Sequence, residues 1–482
     1  MPQILGQIEH VVVVMLENRS FDNICGWLYE GAQGAPKAFL PTSNGQPDPF
    51  DGLNNQLFNP VEAAYFQGDS SATIPIFTRA TATDAPNPDP QEDYPNVNYQ
   101  LFGPDAPSQN PKWKNLGFVI NYQTATGAIS PVQIMEPFSP DQVPVISTLA
   151  KSYAVCDRWY CSVPTDTWPN RSFVHAGTSN GNVVNGNPPN PLDWNVDTIF
   201  NVLEATGNSW KVYCDTQLTP SLTFSMFPKL WPYALTRFAH FDDFQEDCSK
   251  GSLPKYSFLE PSFINNPNDE HPPHDVVAGE QFLLAIWTAV SASPKWNQTL
   301  LLITYDEHGG TYDHVMPPWG ATPPDIKSSP GQQGFGFDRF GIRVPMVAIS
   351  PWIQAGTVFR TDSTMPYDHA SIPATLRDWL NIPEPKMLPS LRIRNAPTLG
   401  QLLTLTTPRT DLPTFPSLPA EAKQTPTFLP ANSLQRSLIS ADAIRQGKDP
   451  HVALSNIVTK KDAIDYFSRS HSSGNVPGPR PK

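Results

Sequence analysis

The sequence predicts an α/β fold in which a mostly parallel central sheet has helices on both faces. Apolar residues dominate three short runs, at 8–16, 299–305 and 343–350. Runs of this length and composition are typical of strands that are covered on both sides. Stretches with apolar residues at helical spacing accompany these runs, at 276–292 and 371–381. Strands that alternate with helices indicate a mostly parallel sheet.

A weaker strand-like run at 209–214 adds to the predicted sheet. Residues 31–110 differ from the rest of the chain, because they are rich in Pro, Asn, Gly and Asp and have little periodicity. We interpret them as a long loop-rich insertion over the surface of a main domain that spans residues 1–404. Such an insertion either covers a functional site or is ordered without a role of its own.

The C-terminal residues, 405–482, are predicted to extend over the main domain. Residues 405–432 are rich in Pro and Thr, which is typical of an extended segment that wraps over a surface. Residues 433–446 predict a short amphipathic helix. Residues 470–482 have the composition of a disordered tail.

The charge of the chain excludes some kinds of partner. Its 482 residues include 45 Asp and Glu against 32 Lys and Arg, which gives a net charge of −13. A nucleic-acid-binding protein needs a basic face, so we expect no nucleic acid partner. The same charge disfavours purely electrostatic docking on anionic lipid. It does not disfavour hydrolysis of an anionic substrate, because a bound metal supplies local positive charge.

Membrane and export signals are not apparent in the sequence. No apolar run is long enough to span a bilayer, and no basic segment precedes the first strand-like run. We therefore expect no transmembrane segment and no signal peptide, and cytoplasmic residence is the default, although a trimmed exported form would look the same. The five cysteines have no CxxC spacing, so that one disulfide bridge and buried free thiols both fit.

Polar residues with oxygen ligands follow two of the predicted strands. Glu17 and Asn18 come directly after the first run, and Asp306 and Glu307 come directly after the run at 299–305. Ligands of parallel sheets bind beyond the carboxyl ends of the strands. Carboxylate and amide oxygens suit a hard cation. For either pair alone, a simple turn or helix start is an equally good interpretation, but the repetition of the pattern favours a shared site.

Thr167 and Arg171 lie where a helix is predicted to begin. Pro169 fits the first turn of a helix, so Thr167 would sit just before its N-terminus, where free N–H groups and the helix dipole attract phosphate. A threonine hydroxyl needs a base or a metal to become a nucleophile. An ordinary helix cap for Thr167 and a structural ion pair for Arg171 are the alternatives.

Two histidines are candidates for proton transfer. His271 lies in a DEHPPHD segment at 269–275, where the prolines exclude a helical zinc motif and stiffen the loop. A histidine on a stiff loop suits a general acid or a phosphate donor. His369 precedes a predicted helix and is a second candidate. A structural role is the alternative for both.

Together, these segments resemble a known family of phosphoesterases, which contains bacterial phospholipases C and acid phosphatases and is shared by plant non-specific phospholipases C. The resemblance covers roughly residues 8–385, in the expected order. The segments that carry it are ENRSFDN at 17–23, PTDTWPNR at 164–171, DEHPPHD at 269–275, TYDEHGGTYDHV at 304–315 and FDRFGIRVPMVAISPW at 337–352.

The resemblance implies an alkaline-phosphatase-like core and a metal-dependent phosphoesterase whose nucleophile forms a phosphothreonine. It implies one divalent metal, and its oxygen ligands favour Ca²⁺, Mg²⁺ or Mn²⁺, with Zn²⁺ also compatible. The substrate would be a phosphate ester, including a phospholipid. The implied metal ligands are Glu17, Asn18, Asp306, Glu307 and Thr167, the implied catalytic residues are Thr167, His271 and His369, and the implied substrate contacts are Asn18, Arg171 and His271.

The chain departs from parts of this family, and other functions remain open. It lacks the long C-terminal region of the haemolytic members and the export signal of the secreted ones, which weakens the case for membrane lipid as substrate. Gly177–Gly181 matches the G-x-S-x-G pattern of a metal-independent serine esterase, with Ser179 as nucleophile and Asp306 and His369 in the required order. A non-catalytic binding member of the family is the other alternative.

Overall fold

A computed structural model describes the protein at residues 5–30, 34–41, 48–61, 72–128, 130–215, 219–418 and 421–472. Within these ranges the chain forms thirteen β-strands, which are β1 (His10–Leu16), β2 (Ala38–Leu40), β3 (Phe58–Pro60), β4 (Thr73–Pro75), β5 (Ala154–Cys156), β6 (Trp159–Tyr160), β7 (Trp210–Cys214), β8 (Phe238–His240), β9 (Tyr256–Glu260), β10 (Thr299–Tyr305), β11 (Met346–Ile349), β12 (Thr357–Phe359) and β13 (Tyr367–Asp368).

Fourteen α-helices lie in the same described ranges. They are α1 (Phe21–Cys25), α2 (Tyr94–Phe102), α3 (Phe118–Thr126), α4 (Pro144–Ser152), α5 (Thr167–Ala176), α6 (Ile199–Ala205), α7 (Leu222–Met226), α8 (Phe241–Lys250), α9 (Val276–Ser291), α10 (Ser371–Trp379), α11 (Leu391–Asn395), α12 (Ser433–Arg445), α13 (Pro450–Leu454) and α14 (Lys460–Ser472).

Nine of the described strands form one central sheet, in the order β2, β12, β5, β11, β10, β1, β9, β7, β8. Every neighbouring pair is parallel except the two pairs that contain β11, which runs antiparallel to β10 and to β5. The sheet is therefore mostly parallel, and the predicted α/β fold class is confirmed.

The four apolar runs all become strands of this sheet, as β1, β7, β10 and β11. The last of them is shorter than the predicted run at 343–350, because Pro345 has no N–H to donate to a neighbouring strand. Its carbonyl instead accepts from Oγ1 of Thr304, and β11 begins at the next residue. The predicted helices at 276–292 and 371–381 form α9 and α10, with ends that differ by one or two residues.

The centre of the sheet is covered on both faces. All seven residues of β1 and all seven of β10 are buried, and alternate side chains of a strand point to opposite faces. Each fully buried Val or Leu stabilises the fold by roughly 1.5–3 kcal/mol relative to an exposed one. These two strands therefore form a rigid base for the residues that follow them.

The insertion at 31–110 contains more regular secondary structure than its composition predicts. Its described parts contain β2, which joins the edge of the central sheet, and the helix α2. Phe102 of α2 packs with Phe118 of α3 in a separate apolar cluster. The predicted insertion also includes residues 31–33, 42–47 and 62–71, which lie outside the described residues.

The C-terminal segment lies against the main domain. The backbone N–H of Lys423 donates to Asp275 (2.7 Å), and the backbone N–H of Arg409 donates to the carbonyl of Pro351 (2.8 Å). The predicted helix at 433–446 forms α12, but most of it is buried because α7, α13 and α14 pack against it. The domain boundary at 404 stays a prediction.

Three further expectations concern the tail, the cysteines and the membrane. The helix α14 extends to Ser472, so residues 470–472 are helical and do not belong to a disordered tail. The rest of the predicted tail, 473–482, lies outside the described residues. All five cysteines are buried, and no disulfide forms among them. Among the described residues, no helix combines the length and apolar character that crossing a membrane requires.

Candidate active site

The carboxyl ends of β1 and β10 bring the two predicted ligand pairs together. The strands are parallel neighbours, and Leu16 pairs with Tyr305 at their ends. The backbone N–H of Asn18 donates to Oδ1 of Asp306 over 3.1 Å. Both pairs are fully buried. A Cβ on Gly309 would meet the Asn18 carbonyl at 2.1 Å, so this approach of the two loops requires a glycine.

Helix α5 brings Thr167 and Arg171 to the same place. Oγ1 of Thr167 donates to Oε2 of Glu17 over 3.3 Å, and Nε of Arg171 donates to Oε1 of Glu17 over 2.8 Å. Nε of Arg171 also lies 3.7 Å from Oδ2 of Asp306. Thr167 is the first residue of the helix, not the residue before it as predicted, because Asp166 is the N-cap.

The site carries more negative than positive charge. The three buried carboxylates are those of Glu17, Asp306 and Glu307, and the guanidinium of Arg171 pairs with the first two. Burial raises the pKa of all three carboxyls, and the charge of Asp306 raises the pKa of Glu17 and Glu307 further, while Arg171 opposes the shift at Glu17 and Asp306. A second positive charge at this place would relieve that repulsion.

The predicted ligand residues fit a divalent cation in their chemistry. Both polar side-chain atoms of Asn18, Oδ2 of Asp306 and Oε1 of Glu307 are buried and have no hydrogen-bond partner. Buried polar atoms are normally paired, and these are oxygen-rich donors of the kind that Ca²⁺, Mg²⁺ and Mn²⁺ prefer. A cation held by them would balance the excess of two negative charges.

Among the described residues, two groups hold three acid or imidazole atoms within 4.8 Å of one another, and the predicted metal ligands do not form such a group. One is Asp22, Asp313 and His314. There Arg343 already donates to Asp22 (2.9 Å) and to Asp313 (3.0 Å), so this group is a satisfied ion-pair network. The other group is Asp89, Glu92 and His271, and it adjoins the candidate site.

His271 lies on a non-helical loop, as predicted, with its ring held in one orientation. Nδ1 lies 2.7 Å from the carbonyl of Pro272, which fixes the proton on Nδ1. Nε2 is buried and has no partner, so it carries a free lone pair. Burial lowers the pKa of His271 to about 4. The backbone N–H of His271 donates to Asp269 over 3.0 Å.

The structure places the His369 ring in contact with the backbone carbonyl of Asp306. Nε2 of His369 donates to the carbonyl of Asp306 over 2.6 Å, and Nδ1 accepts from Nε1 of Trp159 over 3.3 Å. Both ring nitrogens are therefore engaged. This arrangement suits a residue that positions Asp306.

Ser179 of the serine-esterase alternative lies in a turn after α5. Its Oγ donates to the carbonyl of Asn182 over 2.6 Å, and His369 faces the carbonyl of Asp306, as described above. The geometry therefore does not support a serine–histidine–aspartate arrangement for these residues.

Several residues around the site were missed at the level of sequence. The Tyr305 hydroxyl donates to Glu270 over 2.6 Å, and Nε of Arg19 donates to the carbonyl of Glu270 over 2.8 Å. Arg19 and Tyr305 each adjoin a predicted ligand pair in the chain, which is the one signal that sequence offers for them. Asp89 and Glu92 come from the insertion, where nothing in the sequence distinguishes them.

Known proteins resemble this chain over most of its length. The model of the Phosphoesterase family matches residues 8–383. The chain is 35% identical to non-specific phospholipase C3 of Arabidopsis thaliana over 86% of this chain and 76% of that protein. It is 28% identical to phospholipase C A of Mycobacterium tuberculosis over 80% of this chain and 75% of that protein.

A solved protein of the alkaline phosphatase superfamily from Vibrio parahaemolyticus is similar in part. It covers 51% of this chain and 62% of its own, with 13% identity and a TM-score of 0.30. A score this low does not decide the fold, which rests on the sheet described above. The family match and the identity to the plant enzyme over most of both chains decide the membership: the chain belongs to the phosphoesterase family.

Proposed function

We propose that this phosphoesterase hydrolyses phosphate esters in two steps, with a phosphothreonine at Thr167 as the intermediate and one divalent cation at the ligand residues Glu17, Asn18, Asp306 and Glu307. The observation that carries the proposal is the position of the Thr167 hydroxyl, at a helix N-terminus and 3.3 Å from the Glu17 carboxylate. A bound cation would lower the pKa of that hydroxyl and neutralise phosphate oxygens.

Substrate phosphate would bind at the N-terminal end of α5. The dipole of this ten-residue helix attracts an anion. Nη1 of Arg171 is buried and without a partner, so it has a donor to offer to a phosphate oxygen. The side-chain amide of Asn18 offers another. These contacts would orient the phosphorus toward Oγ1 of Thr167.

In the first step, Oγ1 of Thr167 attacks phosphorus while the bond from phosphorus to the alcohol oxygen breaks. The hydroxyl proton passes toward Oε2 of Glu17, the acceptor of its hydrogen bond. The alcohol oxygen gains a proton as it leaves. His271 would supply that proton from Nε2, the ring nitrogen without a partner, because the negative charge of a bound phosphate raises the pKa of this imidazole and favours its protonated form.

In the second step, water attacks the phosphorus of the phosphothreonine. Neutral His271 accepts a proton from this water at Nε2, where its lone pair is free. The bond from phosphorus to Oγ1 of Thr167 breaks, the phosphate product leaves, and the hydroxyl of Thr167 regains its proton. His369 takes no proton in this scheme and positions Asp306 through the backbone carbonyl.

The intermediate can be trapped directly. Wild-type protein is mixed with p-nitrophenyl phosphate and a divalent metal, quenched in acid within the first turnover, and digested for mass spectrometry. We expect a phosphoryl group on Thr167, in the peptide that contains it, and a burst of p-nitrophenol. Burst kinetics with an unmodified Thr167, or a phosphoryl group on another residue, would contradict the proposal.

The class of ester is proposed from the relatives. Proteins named phospholipase C cover most of this chain, which supports a phosphodiester substrate with a lipid alcohol. A panel of p-nitrophenyl phosphate, p-nitrophenyl phosphorylcholine and phosphatidylcholine, with metal returned after stripping, distinguishes a monoesterase from a phospholipase. Release of phosphocholine from phosphatidylcholine at the highest kcat/KM is the expected result.

A further inference from the structure

A cavity of about 490 Å³ lies between the candidate active site and the C-terminal segment. Its inner wall contains Asp89, Glu92 and His274, and its outer wall contains Leu429, Asn432 and Lys460. The two walls are held together, because Asp275 accepts from the backbone of Lys423 and the amide of Gln435 donates to the carbonyl of Phe263 over 3.3 Å.

The cavity adjoins the catalytic residues. Oδ1 of Asp89 lies 3.7 Å from Nδ1 of His271, and Glu92 belongs to the same compact group. Nδ1 of His274 contacts Oδ1 of Asp269 over 2.6 Å, and that oxygen also accepts from the backbone N–H of His271. A substrate whose phosphate lies near His271 would therefore extend into this cavity.

Lys460 is an unusual residue for this wall. It is only 3% exposed, and the one hydrogen bond described for its ammonium is a long one of 3.4 Å to the carbonyl of Thr425, although an ammonium has three donors. It is also the first residue of α14, where the helix dipole disfavours a positive charge. Burial lowers its pKa to about 8. The charge of Asp269 opposes this shift, but that carboxylate already pairs with His274 and with the backbone N–H of His271, so the ammonium still has donors to offer.

The walls indicate which kind of group the cavity takes. Leu429, Pro430 and Ala431 make much of the lining apolar, which suits a partly apolar ligand. The carboxylates of Asp89 and Glu92 at the inner end would repel a second anionic group. A neutral group with a few oxygen atoms fits both features, because its oxygen can accept from the unused donors of Lys460.

We propose that this cavity binds the alcohol portion of the substrate, and that Lys460 determines specificity by donating to an ester or hydroxyl oxygen of that portion. The inference rests on the proposed function. Lys460 lies beyond residues 8–383, which match the family model, so that the chemistry and the choice of alcohol would come from different parts of the chain.

The test compares Lys460→Met with Lys461→Met. Lys461 is the next residue of α14, is largely exposed and pairs with Asp465 on the surface, so its variant is a matched control. The substrates are p-nitrophenyl phosphate, whose alcohol has no ester or hydroxyl oxygen, and a short-chain phosphatidylcholine, whose glycerol carries two esters. Thermal unfolding checks that each variant folds, and we expect Lys460→Met to remain folded because it removes a buried charge.

We expect Lys460→Met to lower kcat/KM for the phosphatidylcholine by about tenfold or more, mainly through KM, as the loss of one buried charged hydrogen bond implies. Its activity on p-nitrophenyl phosphate and both activities of Lys461→Met should be unchanged. Equal losses on both substrates, no loss on either, or a wild type that hydrolyses only p-nitrophenyl phosphate would overturn the assignment of the cavity. A wild type that hydrolyses neither substrate would instead overturn the proposed function.

Discussion

Oγ1 of Thr167 lies 3.3 Å from Oε2 of Glu17, a residue 150 positions away in the chain. The same carboxylate pairs with Arg171, one turn further along α5. A single glutamate thus fixes both the hydroxyl and the guanidinium of the helix that would bind phosphate.

Thr167→Ala should lower kcat by roughly a thousandfold or more, because the group that attacks phosphorus is gone. Its melting temperature should fall only modestly, since a single hydrogen bond to a charged group contributes about 1.5–3 kcal/mol. The control is Thr165→Val, whose lost hydroxyl donated to the carbonyl of Val183 and which should keep its activity. For each variant, steady-state assays measure kcat and thermal unfolding measures the melting temperature. Full turnover by Thr167→Ala would exclude it as the nucleophile.

A chelator should abolish activity, and Ca²⁺, Mg²⁺ or Mn²⁺ should restore it. The cation should also raise the melting temperature, since a ligand at a hundred times its Kd stabilises the folded state by about 2.7 kcal/mol. Glu307→Gln should weaken this shift. The control is Glu204→Gln, which changes an ion pair with Arg237 away from the site and should leave the shift in melting temperature unchanged. If neither these three cations nor Zn²⁺ shifts the melting temperature, the cation site is wrong.

Arg171→Met should reduce the free energy of unfolding by about 3–5 kcal/mol, because it leaves the carboxylate of Glu17 buried without its partner. Urea denaturation measures the loss. Arg79→Met removes a surface pair with Asp141, in which both side chains are more than half exposed, and should cost at most about 1 kcal/mol. Similar losses in the two variants would mean that the buried pair is not intact in solution.

Gly279→Ala should destabilise the protein, although alanine is normally favoured over glycine in a helix by about 1 kcal/mol. The added Cβ would lie 2.2 Å from Oε1 of Glu270, on the loop that carries His271. We also expect a lower kcat. In a double-mutant cycle, Glu270→Ala should suppress much of the cost of Gly279→Ala by removing the clash. Additive losses in that cycle would argue against contact between the two residues.

His314 should make the stability of the protein depend on pH in the alkaline range. Burial lowers its pKa, but Asp22 and Asp51 outweigh burial and raise the pKa from 6.5 to about 10. The protonated form is thus favoured by folding, so its contribution is fully present below pH 6.5 and is lost as the pH rises to about 10.

The magnitude and a control follow from the same linkage. Each pKa unit corresponds to about 1.4 kcal/mol, so the free energy of unfolding should fall by several kcal/mol more in the wild type than in His314→Gln across this range. The control is His451→Gln, at an exposed position of α13. Parallel pH profiles for the wild type and His314→Gln, from urea denaturation, would contradict the ion-pair network.

Much of the fold was predictable because its strands are buried on both faces. A strand such as β1 can then be recognised from its apolar composition alone. The direction of β11 could not be predicted, since the same composition serves parallel and antiparallel neighbours. The depth at which α12 is buried was also missed, because its covering by α7, α13 and α14 depends on packing between distant parts of the chain.

The candidate site, like the fold, was predictable from the sequence only in part. The sequence by itself determined which residues follow the strands β1 and β10 and that a helix starts beside Thr167, because local patterns of apolar residues and prolines specify strand ends and helix starts. Only the tertiary structure decided that Arg171 stands among the carboxylates, that His369 holds the backbone of Asp306, and that Lys460 reaches the same cavity as Asp89. Those contacts join residues far apart in the chain, and their distances depend on how the layers pack.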